Sequence, residues 1–356
     1  MRLFGKKQTR DDEEGELESG IKSKSSGKNP PSSKLRRIKK EPPKPWGRKE
    51  RLLVLALILL TAGTSGFLSL SARAWKLPGL PRIKAPKISV PFFGEETIIL
   101  EGDVNGIADR EKAEKVKTLF KTAINGLSGV YGLYVIHLGN GFSYGVNEDE
   151  IFQAASLIKL PVIAAAYKEA EAGNFNLDEK YVLKNSDKVG GAGSLYGKPA
   201  GYEISYRNLL QLMGKQSDNT AFNIIKKSLG DAKIENTMLK AGMVKTSLSE
   251  NLTTPKDIGT FFEELWRGNI VSEAHEKAML ESLTDTLYEA WLVGGVPDNI
   301  RVSHKYGREV HVVNDAGIVF TDKPLVVVIL SKGVVEREAD EIFPELARIV
   351  YENEAD

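Results

Sequence analysis

Cysteine is absent from all 356 residues, which removes disulfide bonds, thiolate nucleophiles and sulfur-ligated metals from the account. Histidine is nearly as scarce. His137, His275, His304 and His311 are the whole set, none at metal-ligand spacing, so no zinc site is expected. No Gly-x-Ser-x-Gly run occurs, which argues against an α/β-hydrolase nucleophile elbow. The run Gly190-Gly191-Ala192-Gly193-Ser194 lacks the Gly-Lys-Ser/Thr ending of a phosphate-binding loop and reads as a flexible turn near a cleft. Tyr196 beyond it reads as an ordinary packed tyrosine. Neither cofactor nor metal is expected.

Charge of one sign is missing from neither half, but it is unevenly shared. Residues 1–51 hold sixteen Lys and Arg against eight Asp and Glu, whereas the remainder holds 33 against 40, so a net of +8 faces one of −7. The first segment has scarcely any aromatic or β-branched residue and cannot bury enough apolar surface to offset chain entropy. It is expected to be a disordered basic tail, with anionic lipid rather than nucleic acid as its partner. Leu52 to Ala72 then runs 21 residues without a charge, long enough to span a hydrocarbon core of ~30 Å as a helix. Nine Lys and Arg in residues 34–51 against five in residues 73–90 place the N-terminus in the cytoplasm and the rest outside. A cleaved signal peptide ending near Ala72-Arg73-Ala74 is the rival reading, disfavoured by the long apolar run and long charged lead. Residues 73–95, with Pro78, Pro81, Pro86 and Pro91, suit an extended linker. Residues 96–356 are left for the folded domain.

Within that domain, apolar spacing from Glu111 to Asn125 predicts a helix, and Val130–Leu138 with Phe142–Val146 predicts a hairpin around Gly139-Asn140-Gly141. Val302–Tyr306, His311–Phe320 and Leu325–Ser331 read as strands, and Glu336–Tyr351 as a closing helix. Residues 155–295 look mainly helical. That order predicts one sheet built from the terminal segments, with the middle packed on it as a second lobe and a cleft between.

Three motifs carry chemistry. Ser156-Leu157-Ile158-Lys159 precedes an apolar, Ala-rich stretch, so Ser156 belongs at or near a helix start. Its hydroxyl and the Lys159 amine then share a face at i and i+3. A lysine that burial and the positive helix end keep neutral can take the serine proton, and the neighbouring backbone N–H groups can hold an oxyanion. Ser-x-x-Lys alone is weak evidence, since Ser19…Lys22 and Ser25…Lys28 in the tail match it too. Ser217-Asp218-Asn219 offers a second hydroxyl for proton relay and a carboxamide for Lys159 and a substrate amide, or simply a helix N-cap. Lys305-Tyr306-Gly307 lies on a predicted strand bordering the cleft. There Lys305 could attract a carboxylate, Gly307 could admit substrate backbone, and the N–H of Arg308 could complete the oxyanion hole.

Together these motifs resemble the class A β-lactamase and penicillin-binding protein family, whose signatures are Ser-x-x-Lys, Ser-Asp-Asn and Lys-Thr-Gly. Flanking matches include Phe152 to Pro161, Leu212 to Ala221, Thr253-Thr254-Pro255 and Val313-Asn314-Asp315-Ala316-Gly317-Ile318. The resemblance implies a three-layer α/β, β-lactamase/transpeptidase-like fold over 96–356. It also implies an acyl-enzyme on Ser156 and a β-lactam or peptidoglycan-like amide as substrate, with D-Ala-D-Ala peptidase or a penicillin-recognising pseudoenzyme as alternatives. Two departures stand out. The stretch between Ser217 and Thr253 is short for a class A deacylating glutamate, and between Asn219 and Thr253 the only acids are Asp231, Glu235 and Glu250. Glu250 is the nearest candidate. Tyr306 replaces the threonine or serine whose hydroxyl helps bind the substrate carboxylate in the family.

Overall fold

Three strands buried on both faces explain the architecture. In the computed structural model, which describes residues 104–355, β1 (Val130–His137), β2 (Ser143–Val146), β7 (Val302–Glu309), β8 (Val312–Val319) and β9 (Leu325–Lys332) form one antiparallel sheet in the order β2-β1-β9-β8-β7. Both faces of β1, β8 and β9 are buried; β1 and β9 read as near-continuous apolar runs, while β8 buries Asn314 and Asp315 within its apolar ends. Leu133, Val135, Val327 and Ile329 face one core, while Tyr134, Ile136, Val326 and Val328 face the other, as the period-two geometry of a strand requires.

The first core is closed by helix α1 (Val104–Ala123) and helix α8 (Glu336–Glu354), through Val116, Phe120, Phe343 and Leu346. The second is closed by the helical middle of the chain. Its helices are α2 (Lys159–Glu171), α3 (Tyr206–Lys215), α4 (Asn219–Leu229), α5 (Asp231–Lys240), α6 (Pro255–Trp266) and α7 (Glu273–Ser282). Helices, sheet, helices: the expected three-layer α/β fold is present. The middle also holds two small pairs, β3 (Phe152–Gln153) with β6 (Leu252–Thr253), and β4 (Lys180–Val182) with β5 (Glu203–Ser205).

The expected terminal elements all occur, with shifted ends. The first helix begins at Val104 rather than Glu111, and β7 runs three residues past Tyr306, to Glu309. The proposed tail, span and linker lie outside the described residues. Among the described residues no helix is long and apolar enough to cross a membrane.

Candidate active site

Ser156 sits in a 3-10 turn, Ala155–Ile158, that runs directly into α2. With three residues per turn, positions i and i+3 eclipse, which brings Lys159 over Ser156 more directly than an α-helix would. Lys159 Nζ lies 2.9 Å from Ser156 Oγ. The turn is entered at a cost: Ala155 adopts φ 49°, a left-handed conformation that a non-glycine residue keeps only when its surroundings impose it. Those surroundings are visible. Pairing of Phe152 with Thr253, the Ala154 N–H donated to the Asn251 carbonyl at 2.7 Å, and the Asn314 amide donated to the Gln153 carbonyl at 2.8 Å hold the run-in on three sides.

The Ser217-Asp218-Asn219 motif divides its labour. Asp218 caps α4, accepting the Ala221 N–H at 2.9 Å, so the N-cap reading is correct for the middle residue. The flanking residues turn to the lysine. Lys159 Nζ reaches the Ser217 carbonyl at 2.7 Å, the Ser217 hydroxyl at 3.1 Å and Asn219 Oδ1 at 2.7 Å. Ser217, too, has a left-handed backbone, φ 54°. Burial lowers the Lys159 pKa to about 8, against the opposing pull of Asp218 and Glu309. At neutral pH a sizeable minority of the amine is therefore free base, the form that can accept a proton.

The glycine-rich run is no free turn. Leu195 N–H is donated to the second Asp218 oxygen at 2.8 Å, Asn219 N–H to the Ala192 carbonyl at 3.1 Å, and the Asn219 amide to the Gly190 carbonyl at 2.9 Å. Gly193 makes this possible, having φ +88° and no side chain: a Cβ there would fall 2.1 Å from Asp218 Oδ2. Gly193→Ala is expected to push the loop off the motif and lower the rate of Ser156 acylation on the order of 10²-fold. Gly197→Ala, where a Cβ meets nothing within 4 Å, should leave the rate unchanged in the same stopped-time labelling assay. Tyr196, expected to be packed, is exposed.

Strand β7 forms the opposite wall. Gly307 faces the nucleophile so closely that a Cβ on it would lie 2.9 Å from the Ser156 nitrogen. The strand's far edge is unpaired in the sheet, and His304 N–H on that edge is donated to the Leu283 carbonyl at 2.7 Å. By alternation, the N–H of Tyr306 and Arg308 point the same way. Arg308 N–H therefore points out from the open edge, one residue beyond the glycine that faces Ser156.

Lys305 departs from its expected role. Rather than standing open to a carboxylate, its amine donates to the Tyr306 carbonyl at 2.7 Å and lies 4.2 Å from the centre of the Tyr306 ring. It is wholly buried, not at an exposed strand end. Burial, and then repulsion from Lys159, hold its pKa well below the usual lysine range. The Tyr306 ring packs among aromatics, 5.7 Å from Tyr288 and 6.5 Å from Trp291. Arg308 is tied to Asp340 through two contacts of 2.9 Å.

Sequence reasoning passed over several residues that shape the site. Asn314 holds the run-in to Ser156, and Glu309 on β7, bonded to Gln153 and Asn251, is one of two carboxylates acting on Lys159. His304 and Asp315 form a buried pair behind β7, 2.8 Å apart. No periodicity announces such partnerships across the sheet. Glu250, by contrast, is exposed in a turn, and no acidic side chain among the described residues is hydrogen-bonded to Ser156 or Lys159.

Known proteins share this fold. A family model described as the β-lactamase enzyme family matches residues 112–353. Beta-lactamase SME-1 of Serratia marcescens is 22% identical over an alignment of 278 residues that covers 69% of this chain and 91% of that one. A β-lactamase structure from Sphaerobacter thermophilus superposes with a TM-score of 0.64 at 27% identity, covering 67% of this chain and 97% of the other. PBP-A gives 0.63 at 26%, with coverage of 67% and 95%. A mutant of PBP-A, solved as an acyl-enzyme complex with penicillin G, gives 0.62 at the same identity.

Proposed function

The chain belongs to the β-lactamase enzyme family, and from that premise we propose that it is a serine acyl-transfer enzyme with Ser156 as nucleophile. The observation that carries the reading is the Lys159 amine, 2.9 Å from Ser156 Oγ and 3.1 Å from Ser217 Oγ, depressed to a pKa of about 8. Ser156 Oγ attacks the amide carbon while Lys159 takes its proton. The oxyanion receives the N–H groups of Ser156 and Arg308. Collapse breaks the C–N bond, and the proton returns from Lys159 through the Ser217 hydroxyl to the leaving nitrogen. Asn219 holds Lys159 and the loop above it.

Water must then cleave the ester. With no carboxylate bonded to Ser156 or Lys159, and Glu250 in an exposed turn, this step is the slow one, which favours a long-lived adduct of the peptidase or penicillin-recognising kind over rapid β-lactam turnover. The uncharged Leu52–Ala72 run supports anchoring of the domain outside the membrane. Intact mass spectrometry of the full-length chain after penicillin G treatment tests the catalytic reading. A single acyl adduct, mapped to the Ser156 peptide and persisting for minutes, is the expected result. An unmodified mass together with unchanged penicillin would count against the enzyme and for the binding-module alternative.

A further inference from the structure

On strand β7 the side chains alternate: Lys305, Gly307 and Glu309 share the face turned to Ser156, while His304, Tyr306 and Arg308 share the other. The contacts agree. His304 meets Asp315, Tyr306 meets Tyr288 and Trp291, and Arg308 meets Asp340, all on the side of α8. A threonine or serine at 306 would place a short hydroxyl at the strand edge. Tyrosine carries its hydroxyl to the end of a ring packed among aromatics, and no side-chain hydroxyl from this position is left at the edge.

The ammonium of Lys305 is removed by the same residue. Its Nζ is bonded to the Tyr306 carbonyl and roofed by the Tyr306 ring, with no surface reached by solvent. A carboxylate approaching beside the scissile amide would find no exposed amine at Lys305, which is wholly buried and engaged by the Tyr306 carbonyl and ring. Desolvating an anion without a partner is unfavourable. Arg308, next along the strand, already has its guanidinium forked onto Asp340.

Resting on the acyl-transfer reading above, we infer that this site favours acyl donors whose scissile bond is flanked by an uncharged group over those flanked by a free carboxylate, the latter, penicillins included, acylating Ser156 without help from Lys305. An internal amide of an extended peptide, or a chain end capped as an amide, has that chemistry. Tyr306 is the residue that positions Lys305 away from the substrate and so sets the preference.

The test compares a matched pair of acyl donors on the full-length chain, phenylacetylglycyl thiolactate with its leaving-group carboxylate free and the same thioester as its methyl ester. The rate of Ser156 acylation is followed by mass. The neutral ester is expected to react at least as fast as the acid, and Tyr306→Phe, which keeps the ring, should behave the same way. Tyr306→Thr, by uncovering Lys305, should shift the ratio about tenfold toward the acid. A tenfold preference of the unaltered protein for the acid would overturn the inference and leave the acyl-transfer reading standing. Absence of a Ser156 adduct from either thioester would overturn both. The comparison within the unaltered protein decides the matter even if Tyr306→Thr folds poorly.

Discussion

Replacing Lys159 with methionine is expected to slow acylation of Ser156 by about 10²–10⁴-fold, the usual contribution of a positioned base. Methionine keeps the apolar stem that packs in the core at the start of α2 and removes only the amine, so folding should survive. Serine itself holds its proton far above neutral pH, and the amine is the one base within 2.9 Å of it. The pH profile separates this role from a structural one. Burial lowers the Lys159 pKa from 10.5 to about 8, and only the deprotonated amine can accept the proton. Acylation by the unaltered protein should therefore rise about tenfold per pH unit below 8 and level off above it. The methionine variant should lose that inflection. A profile that is flat in the unaltered protein, or a variant that keeps the step near pH 8, would show that another group takes the proton.

The second large effect is on stability. His304 and Asp315 are both wholly buried and 2.8 Å apart, and the other ring nitrogen meets Thr286 at 3.1 Å and Glu289 at 3.3 Å. Burial opposes charge on the imidazole, but attraction and hydrogen bonding from Asp315 and Glu289 outweigh it and raise its pKa to about 9. His304→Leu would leave Asp315 buried with only the Leu292 N–H, at 3.0 Å, in place of a cation. Breaking a buried pair in this way costs about 3–5 kcal/mol, equivalent to a Tm lower by roughly 6–20 °C for a domain of this size. The sign of the pH dependence follows from the raised pKa. The folded state binds a proton that the unfolded chain releases above about 6.5, so the pair's contribution is whole below that pH and fades as pH climbs through 9. The Tm gap between the two proteins should be widest at pH 6 and narrow by pH 9.5. A gap that is small, or constant with pH, would mean that the imidazole is neutral in the folded protein.

Sequence gave away the parts of this molecule that are local. Ser156 and Lys159 stand one turn apart, and every terminal strand was marked by a continuous or alternating apolar run. Ser217 and Asn219 face the lysine because Asp218 between them caps α4, a division readable from three adjacent letters once a helix follows. What escaped the sequence depends on pairs far apart in the chain. Asn314 reaches Gln153 across 161 positions, and His304 finds Asp315 only because β7 and β8 are antiparallel with His304 opposite Gly317. Lys305 escaped for a different reason. Its motif position said where the strand would be, but the direction of its amine was decided by a neighbouring tyrosine whose ring had aromatic partners 15 to 18 residues away, at Trp291 and Tyr288. The glycine-rich run looked loose because its composition is loose; its rigidity comes from Asp218 and Asn219.

One consequence of the unpaired margin of β7 concerns company the protein should avoid. An open strand margin invites foreign strands and, through them, aggregation. Here the carbonyl of Leu283 already occupies the margin at His304 and the Lys305 amine takes the Tyr306 carbonyl, which leaves, among the described residues, the N–H groups of Tyr306 and Arg308 on that margin. That opening is long enough to seat a single peptide unit in passing, and too short for a whole neighbouring β-strand to take hold.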